Sequence, residues 1–362
     1  MDYTGLLYEL VSIYSPSGKE QQVSERIRKM LSSDLEADQA YIDEVGNVIG
    51  VYEGRSPSIL LCGHIDTVPG ELPVKRDSYE ISGRGAVDAK SSMASFLCAA
   101  YELKKASFQN RIFVIGVVGE EDRGDGIKHL IRGGLKPSYA VFGEPSSSTN
   151  IVIGYRGGIR VKFFFQTESF HASSPWMGKS AVEAALELWA FIKKYNEVAI
   201  GKERKFDTVS SCLTQIIGGE SHNMSPSNCV MTVDIRFPPS ITSQEVLHQI
   251  GEEASKVCDH KIDFKMVVED FTPAYTAPVN SELVTAFRKA IKEVKGTSAK
   301  LVRKTGSGDM NVFGKEVKVP VITYGPGDPK LSHTPNERIS ITEYVESIKI
   351  IKQALMELCK QI

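Results

Sequence analysis

The stretch SILLCGHID, residues 58–66, carries the strongest signal in the chain. An apolar run typical of a buried strand ends there in two metal-binding side chains, His64 and Asp66. Four more short motifs place such side chains after apolar or glycine-containing runs: GAVD at 85–88, GEED at 119–122, FGEP at 142–145 and SHTP at 332–335. Two histidines and three carboxylates in such places can hold two divalent metals, and a further glutamate beside a ligand can act as a base. The pattern therefore predicts hydrolysis of an amide or ester.

Composition limits the other possibilities. The chain has 362 residues, which is long for one hydrophobic core, so two domains are expected. Hydrophobic residues make up 41% and charged residues 24%, which is ordinary for a globular protein. A formal net charge of -2 argues against general nucleic-acid binding, and no apolar run is long enough to cross a bilayer. The N-terminus shows no secretory signal, so we expect a cytoplasmic protein without a membrane partner.

The cysteines agree with that compartment. None of the six forms a C-x-x-C pair and most lie in apolar stretches, which predicts buried free thiols in a reducing environment. Cys62, two positions before His64, is interpreted as a packing residue rather than a metal ligand.

The N-terminal part of the chain alternates predicted strands and helices. The strands are Val48–Tyr52, Ser58–Cys62, Arg111–Val118 and Tyr139–Phe142, and the helices are Gln21–Leu31, Lys90–Lys105 and Gly126–Arg132. This alternation predicts an α/β sheet with parallel strands. The motif residues follow the strands, and ligands gather at the carboxyl ends of strands in such sheets. Their positions agree with a single site.

The pattern changes near Gly154. Strand, helix, two strands, helix and strand follow at 155–167, 180–195, 209–217, 229–237, 243–258 and 261–268, which is the order of a ferredoxin-like sandwich. From about Pro273 the first pattern resumes, with helices at 281–295 and 308–313, strands at 299–303 and 319–324, and a long helix from Thr342. The sequence therefore predicts a small domain, 155–268, inserted into a discontinuous mixed-sheet catalytic domain, 1–154 and 269–362.

Each candidate residue also has an ordinary structural explanation. Asp88 precedes a predicted helix, where an aspartate most often caps the N-terminus. Glu120 and Glu121 are adjacent acids, which are commonly a solvated pair. His171 and Arg236 are, taken alone, a surface histidine and an exposed charge on a strand. The metal-site interpretation therefore depends on the whole set.

In order and approximate spacing, the set resembles the zinc aminoacylase and carboxypeptidase family, which includes acetylornithine deacetylase, succinyl-diaminopimelate desuccinylase and glutamate carboxypeptidase. The resemblance covers essentially the whole chain, from the His-x-Asp motif to the final HTPNE at 333–337. It implies these roles: Asp88 bridges two metals, His64 and Glu144 bind one, Glu121 and His333 bind the other, Glu120 is the base, and Asp66 supports His64. It also implies a cis peptide bond between Asp88 and Ala89.

The resemblance implies that the inserted domain is a lid that also forms a homodimer. His171 matches a lid histidine that polarises the scissile carbonyl in the neighbouring subunit's active site. Asn223 and Arg236 match contacts to a substrate carboxylate, and the planar fork of an arginine suits both oxygens of such a group. Gly306 and Ser307 match a glycine-rich loop near the site, where many members of the family have a threonine at one of the positions 307 and 308.

Within the family, four stretches resemble a branch that acts on a small acidic amino-group carrier protein: GYRGG at 154–158, FHASSP at 170–175, TGSGDMN at 305–311 and YGPGD at 324–328. The resemblance implies a hydrolase that releases lysine or ornithine from the carrier's C-terminal glutamate, in lysine or arginine biosynthesis. It implies two divalent cations per subunit, zinc or alternatively cobalt. Residues 288–304 carry seven basic side chains against Glu293, which either steer an acidic partner or form a solvated helix face.

Two alternatives remain open. The first is a deacylase for a free small molecule, either an N-acetyl-ornithine or acetyl-lysine deacetylase or a succinyl-diaminopimelate desuccinylase. The second, of another class, is a catalytically silent family member that serves as a binding module. The presence of Glu120 and of all five predicted metal ligands argues against the second alternative.

Overall fold

A computed structural model describes residues 1–199, 204–258 and 261–360. The chain divides into two compact units. The first comprises Met1–Gly154, Ala277–Arg303 and Val312–Ile362, and the second comprises Tyr155–Thr276 and Lys304–Asn311. Within the described ranges, none of the helices has the length and apolar character needed to cross a membrane.

The elements follow one another in this order along the N-terminal part of the chain: α1 (Tyr3–Ser12), α2 (Gln21–Lys29), β1 (Gln39–Ile42), β2 (Val48–Tyr52), β3 (Arg55–His64), β4 (Lys75–Arg76), β5 (Glu80–Ser82), α3 (Lys90–Lys105), β6 (Asn110–Val117), α4 (Asp125–Arg132), β7 (Tyr139–Gly143) and β8 (Asn150–Tyr155). The central part continues with β9 (Gly157–Gln166), α5 (Ala181–Ala199), β10 (Ser210–Gly218), β11 (Asn228–Phe237), α6 (Ser243–Val257), β12 (Asp263–Thr272) and β13 (Tyr275–Thr276). The C-terminal part contains α7 (Glu282–Lys295), β14 (Lys300–Lys304), α8 (Asp309–Val317), β15 (Val321–Thr323), β16 (Arg338–Ser340) and α9 (Ile341–Lys360).

The main sheet of the first unit is mixed, as predicted, and runs in the order β1-β2-β6-β3-β7-β15-β8. Strand β3 lies between β6 and β7 and is parallel to both, whereas β2 pairs antiparallel with β6 and β15 with β8. Residues 59–64 of β3 are buried, which explains their continuous apolar character. Because β3, β6 and β7 are parallel, their carboxyl ends meet at one edge of the sheet.

Helix α3 matches its predicted bounds and is buried along most of its length. It packs against β3 on one side and α9 on the other. Small side chains permit the close approach, with Ser95 Oγ and Ser347 Oγ 2.8 Å apart. The helix begins two residues after Asp88, so its packing fixes the position of that residue.

The second unit contains an antiparallel sheet in the order β10-β11-β9-β12. Helices α5 and α6 share one core with it, in which Phe163, Leu188 and Val246 are fully buried. The order of strands and helices is that of the predicted ferredoxin-like sandwich. Its role as a lid and dimerisation domain stays a prediction.

The extent of the second unit differs from the predicted segment 155–268. Strand β12 was expected to end at residue 268, but its pairing with β9 continues to Thr272 opposite Gly158. The segment 304–311 also belongs to this unit. Its Thr305 carbonyl accepts a hydrogen bond from Arg156 at 2.9 Å. Such contacts join residues far apart in sequence, so local periodicity did not predict them.

Strands that are short or lie at a sheet edge were also missed, because they carry little periodicity: β1, β4, β5, β13 and β16. Strand β8, inside the main sheet, was not predicted either. The six cysteines, all of which lie within the described residues, are free thiols. Cys62, Cys98 and Cys229 are buried as expected, but Cys212 is exposed. The prediction of burial was wrong for Cys212 because it lies opposite Asp234, on the face of the sheet away from the core that contains Val233 and Ile235.

Candidate metal centre

Five predicted metal ligands come together at one edge of the main sheet. His64 is the last residue of β3, Glu121 lies four residues after the end of β6, and Glu144 directly follows β7. Asp88 and His333 are supplied by loops. Among the described residues, the donor atoms form overlapping groups, and within each group they lie within 4.8 Å of one another: His64 with Asp88 and Glu144, Asp88 with Glu121 and His333, and His64 with Glu120 and Glu121.

Asp88 lies at the centre of this arrangement. Its Oδ1 is 3.1 Å from His64 Nε2, and its Oδ2 is 3.3 Å from His333 Nε2. The two oxygens of one carboxylate thus face two different histidines, which is the geometry a bridging ligand needs. The peptide bond between Asp88 and Ala89 is cis, as the family resemblance implied.

Each histidine also faces a glutamate. Glu144 Oε1 lies 3.7 Å from His64 Nε2, and Glu121 Oε1 lies 2.8 Å from His333 Nε2. His64 is almost fully buried, whereas His333 is about half exposed. The two halves of the centre therefore differ in their access to solvent.

Asp66 makes more contacts than predicted. His64 Nδ1 lies 3.0 Å from the backbone carbonyl oxygen of Asp66 and 3.3 Å from its carboxylate, so Asp66 orients the imidazole. The same carboxylate accepts hydrogen bonds from the backbone N–H groups of Glu120 at 3.2 Å and Glu121 at 3.0 Å. Ser17 Oγ donates a further bond at 2.7 Å. One buried aspartate therefore orients His64 and also holds the loop that carries both glutamates.

The carboxylates shift the pKa values of both histidines. Burial disfavours a charge on His64, but hydrogen bonds with Asp66 and Asp88 raise its pKa well above 6.5. Hydrogen bonds with Asp88 and Glu121 raise the pKa of His333 to about 10. Burial alone would raise the pKa of Asp88, yet hydrogen bonds with both histidines hold it below its ordinary value. The protonated imidazoles partly balance the carboxylates.

The donor set fits divalent cations. Even with both imidazoles protonated, two positive charges face four carboxylates, those of Asp88, Glu120, Glu121 and Glu144. Asp88 is buried and the glutamates are partly buried, and such carboxylates are costly without enough counter-charge unless a metal is bound. Imidazole nitrogens and carboxylate oxygens are the ligands of transition-metal hydrolases.

Two further residues were missed as participants. Glu337 is buried, and its Oε1 accepts the N–H groups of Gly85, Val87 and Asp88, each at 3.0 Å. Lys90 is buried and donates to the carbonyl of Ile13, and burial lowers its pKa to about 7. Sequence signals for both were available: Glu337 ends the HTPNE stretch that carries the family resemblance, and Lys90 lies two residues after the GAVD motif.

The predicted substrate-binding residues lie in the second unit, in two places. Arg236 makes a bidentate pair with Asp234 at 2.7 and 2.9 Å, and its Nη1 donates to Ser307 Oγ at 2.7 Å. Gly306 lies beside Ser307 in the same exposed loop. Elsewhere, His171 forms a β-bridge with Met224, and the carbonyl of Asn223 accepts the N–H of Ala172 at 2.9 Å.

The tautomer of His171 follows from its neighbour. The backbone N–H of Ser173 donates to His171 Nδ1 at 3.1 Å, and Ser173 Oγ lies 2.7 Å from the same atom. Because Nδ1 accepts a hydrogen bond, the proton of the neutral ring is on Nε2. His171 therefore presents an N–H donor on its exposed side.

Comparison with known proteins identifies the class. The sequence model of Peptidase family M20/M25/M40 matches residues 60–357. The chain belongs to this family and is a metal-dependent hydrolase.

The relatives are similar over nearly the whole chain. A Pyrococcus furiosus protein, provisionally named a [LysW]-lysine/[LysW]-ornithine hydrolase, is 40% identical over 352 residues, which are 97% of this chain and 96% of that protein. The [LysW]-lysine/[LysW]-ornithine hydrolase of Sulfurisphaera tokodaii is 33% identical over 357 residues, covering 98% and 95%. The [LysW]-lysine hydrolase of Deinococcus radiodurans is 31% identical over 360 residues, covering 98% and 96%.

Solved structures share the fold. Aminopeptidase PepT of Bacillus cereus superposes with a TM-score of 0.83 at 19% identity, over 99% of this chain and 98% of that one. The M20 family metallo-carboxypeptidase Sso-CP2 of Sulfolobus solfataricus gives a TM-score of 0.82 at 17% identity, over 100% of both chains. At these identities the likeness establishes the fold alone.

Proposed function

We propose that the protein releases lysine, ornithine or both from the C-terminal glutamate of an acidic amino-group carrier protein of the LysW type, in amino-acid biosynthesis. The observation that carries the chemistry is the convergence of the other four predicted ligands around Asp88, with Glu120 beside them. The substrate rests on the names of relatives that are 31–40% identical over almost the whole chain.

The proposed cofactor is a pair of divalent cations, zinc or alternatively cobalt. His64, Asp88 and Glu144 would hold one, and Asp88, Glu121 and His333 the other. When bound, such a pair polarises the scissile carbonyl and makes water a stronger acid. The set contains no thiolate, which is typical of catalytic rather than structural zinc sites.

The side chains around the cations have separate roles in this proposal. Glu120 takes the proton of the attacking water and passes it to the leaving amine. His171 donates a hydrogen bond from its Nε2–H to the oxygen of the scissile carbonyl as negative charge develops there. Arg236, Ser307 and the Gly306 backbone bind the carboxylate of the amino acid to be released. Asn223 lies beside His171, so it would contact the same carboxylate together with His171, from the partner subunit.

The basic run 288–304 is only partly available for an acidic carrier. Lys289 pairs with Glu357 at 2.7 Å, and Lys295 pairs with Glu346. Arg288, Lys292 and Lys300 are exposed. We expect this surface to increase the rate of encounter rather than to provide tight docking.

Substrate competition tests the function. With zinc supplied, kcat/KM for carrier-linked lysine or ornithine should exceed that for N-acetylornithine by at least about tenfold, because contacts with the carrier contribute binding energy. Released amino acid is measured by mass spectrometry, with Glu120→Gln as the inactive control. Preferential cleavage of acetyl or succinyl substrates would establish the small-molecule alternative. Bound zinc without turnover of any of these substrates would establish the binding module.

The second unit supports a homodimer. Strand β10 lies at the edge of its sheet and exposes Ile216 and Ile217. Leu186, on the neighbouring helix α5, is also about half exposed. An unpaired strand edge with exposed apolar side chains is a surface that a second copy can cover.

Mixed dimers test whether His171 acts in the partner's site, as the family resemblance implies. We expect inactive His171→Ala and Glu120→Gln subunits to recover activity when mixed, because one site of each heterodimer then carries neither substitution. Recovery should reach up to about half of wild-type activity per heterodimer if the sites are independent. Native mass spectrometry verifies subunit exchange. Verified exchange without recovery would mean that His171 serves its own subunit or neither.

A further inference from the structure

A buried ion pair joins the two loops that carry Asp88 and His333. Glu337 Oε2 accepts from Arg84 Nη1 at 2.9 Å, while its Oε1 accepts the N–H groups of Gly85, Val87 and Asp88. Both partners are less than a tenth exposed. A carboxylate with this many donors has its hydrogen-bonding capacity largely filled.

Arg84 holds the same two loops from the other side. Its Nη1 also lies 3.3 Å from the carbonyl oxygen of Thr334, and its Nε donates to the carbonyl of Gly70 at 2.9 Å. One guanidinium therefore contacts both the residue after His333 and the side chain of Glu337. The pair connects positions about 250 residues apart in sequence.

The connected segments need such support. Residues 83–89 are a turn rather than a helix or strand, with Gly85 at φ +87, and they lead directly to Asp88. His333 has φ +62, a conformation that side-chain-bearing residues rarely adopt, and it persists only where surroundings enforce it. The side chains of Glu337 and Arg84 contact both segments at once.

We propose that Glu337 and Arg84 are positioning residues that set the spacing between Asp88 and His333, and thereby the affinity of the cation site formed by Asp88, Glu121 and His333. This inference rests on the ligand set of the proposed function. The other site shares Asp88, but its remaining ligands are placed by strands of the main sheet: His64 is the last residue of β3, and Glu144 directly follows β7. Its affinity should therefore change less.

Zinc titration against a competing chelator tests the inference, with the two dissociation constants fitted separately. Glu337→Gln removes the charge and replaces one acceptor oxygen with an N–H₂ donor, which Arg84 or the backbone N–H groups cannot satisfy. His333→Ala, which removes a ligand of the Asp88, Glu121 and His333 site only, identifies the zinc constant that belongs to this site. In Glu337→Gln that constant should rise by about 10–100-fold, as for other groups that orient metal ligands. The other constant should rise less, and the metal content after dialysis should fall from two to one per chain.

Asp43→Asn is the matched control. Asp43 Oδ1 also accepts three backbone N–H groups, those of Val45, Gly46 and Asn47, at 2.9–3.1 Å, but in a turn that carries no predicted ligand. It should lower thermal stability without changing either zinc constant. An equal loss of zinc affinity in Asp43→Asn and Glu337→Gln would show a general effect of instability and would overturn the inference.

Arg84→Lys changes the other partner of the ion pair, and it tests the inference if Glu337→Gln does not fold. It keeps the positive charge but cannot contact the Glu337 carboxylate, Thr334 and Gly70 together, so the zinc constant of the Asp88, Glu121 and His333 site should rise again. Folded variants that bind both zinc ions within about twofold of wild type would refute the inference while leaving the proposed function intact. A wild-type protein that binds no zinc would instead refute both.

Discussion

Glu120→Gln is expected to lower kcat by about 10²–10⁴-fold, because the amide cannot take the proton of the attacking water. Both cations should stay bound. Glu120 lies with His64 and Glu121 in one group of donor atoms, yet it is not needed to complete either proposed metal site. Steady-state kinetics measure the loss, and elemental analysis of the same samples measures the zinc.

Asp122→Asn is the control for this experiment. Asp122 lies two residues further along the same loop, but it is exposed and 3.8 Å from Arg123. Its replacement should leave kcat and zinc content near wild type. If Glu120→Gln kept near-normal turnover with two zinc ions bound, another group would be the base. If it lost zinc, Glu120 would be a ligand.

Part of the candidate site was predictable, because some of its residues lie at the ends of strands that short apolar runs identify. His64 ends β3 and Glu144 follows β7; residues 59–64 of β3 and all of β7 are buried and read as mostly apolar stretches. Parallel neighbours end at the same edge, so strand type alone brought these residues together. Asp88 and His333 are carried by loops, and only the family resemblance indicated their place.

The supports of the site were less predictable, because they are contacts to backbone groups. Asp66 was expected to orient His64, but its bonds to the N–H groups of Glu120 and Glu121 depend on how a loop after another strand turns back. Glu337 reaches N–H groups about 250 residues away. Residue type identifies a carboxylate, but not which backbone groups a distant loop will offer it.

The limits of the second unit were set by contacts of the same kind. Arg236 was interpreted as an exposed strand charge or a substrate contact, and in the structure it bonds both Asp234 and Ser307. Asn311 donates to the carbonyls of Arg156 and Pro273. These bonds bring the glycine-rich segment 304–311 to the second unit, although it follows a strand that reads as part of the first.

Asp88→Asn is expected to abolish activity by a different route, the loss of both cation sites. The amide keeps one oxygen, so it cannot present a charged oxygen to both His64 and His333. Losing the several kcal/mol that bound metals contribute to transition-state stabilisation corresponds to at least about 10³-fold in kcat. Elemental analysis should find fewer than one tightly bound zinc per chain. His333→Ala, which removes a ligand from one site only, should retain one.

The metal-free forms of the same proteins provide a second readout with a defined pH dependence. His333 has a pKa of about 10 in the folded chain against an ordinary 6.5, mainly because of Asp88 and Glu121. A raised folded pKa stabilises the protein fully below pH 6.5 and loses this contribution as the pH rises towards 10. With EDTA present, the melting temperature of wild type should therefore exceed that of Asp88→Asn most at pH 6. The difference should shrink or reverse by pH 10, where neutral imidazoles no longer offset the clustered carboxylates.

A difference in melting temperature that stayed constant across this range would mean that Asp88 supports the fold without pairing with the histidines. Two tightly bound zinc ions in Asp88→Asn would show that it is not the bridge.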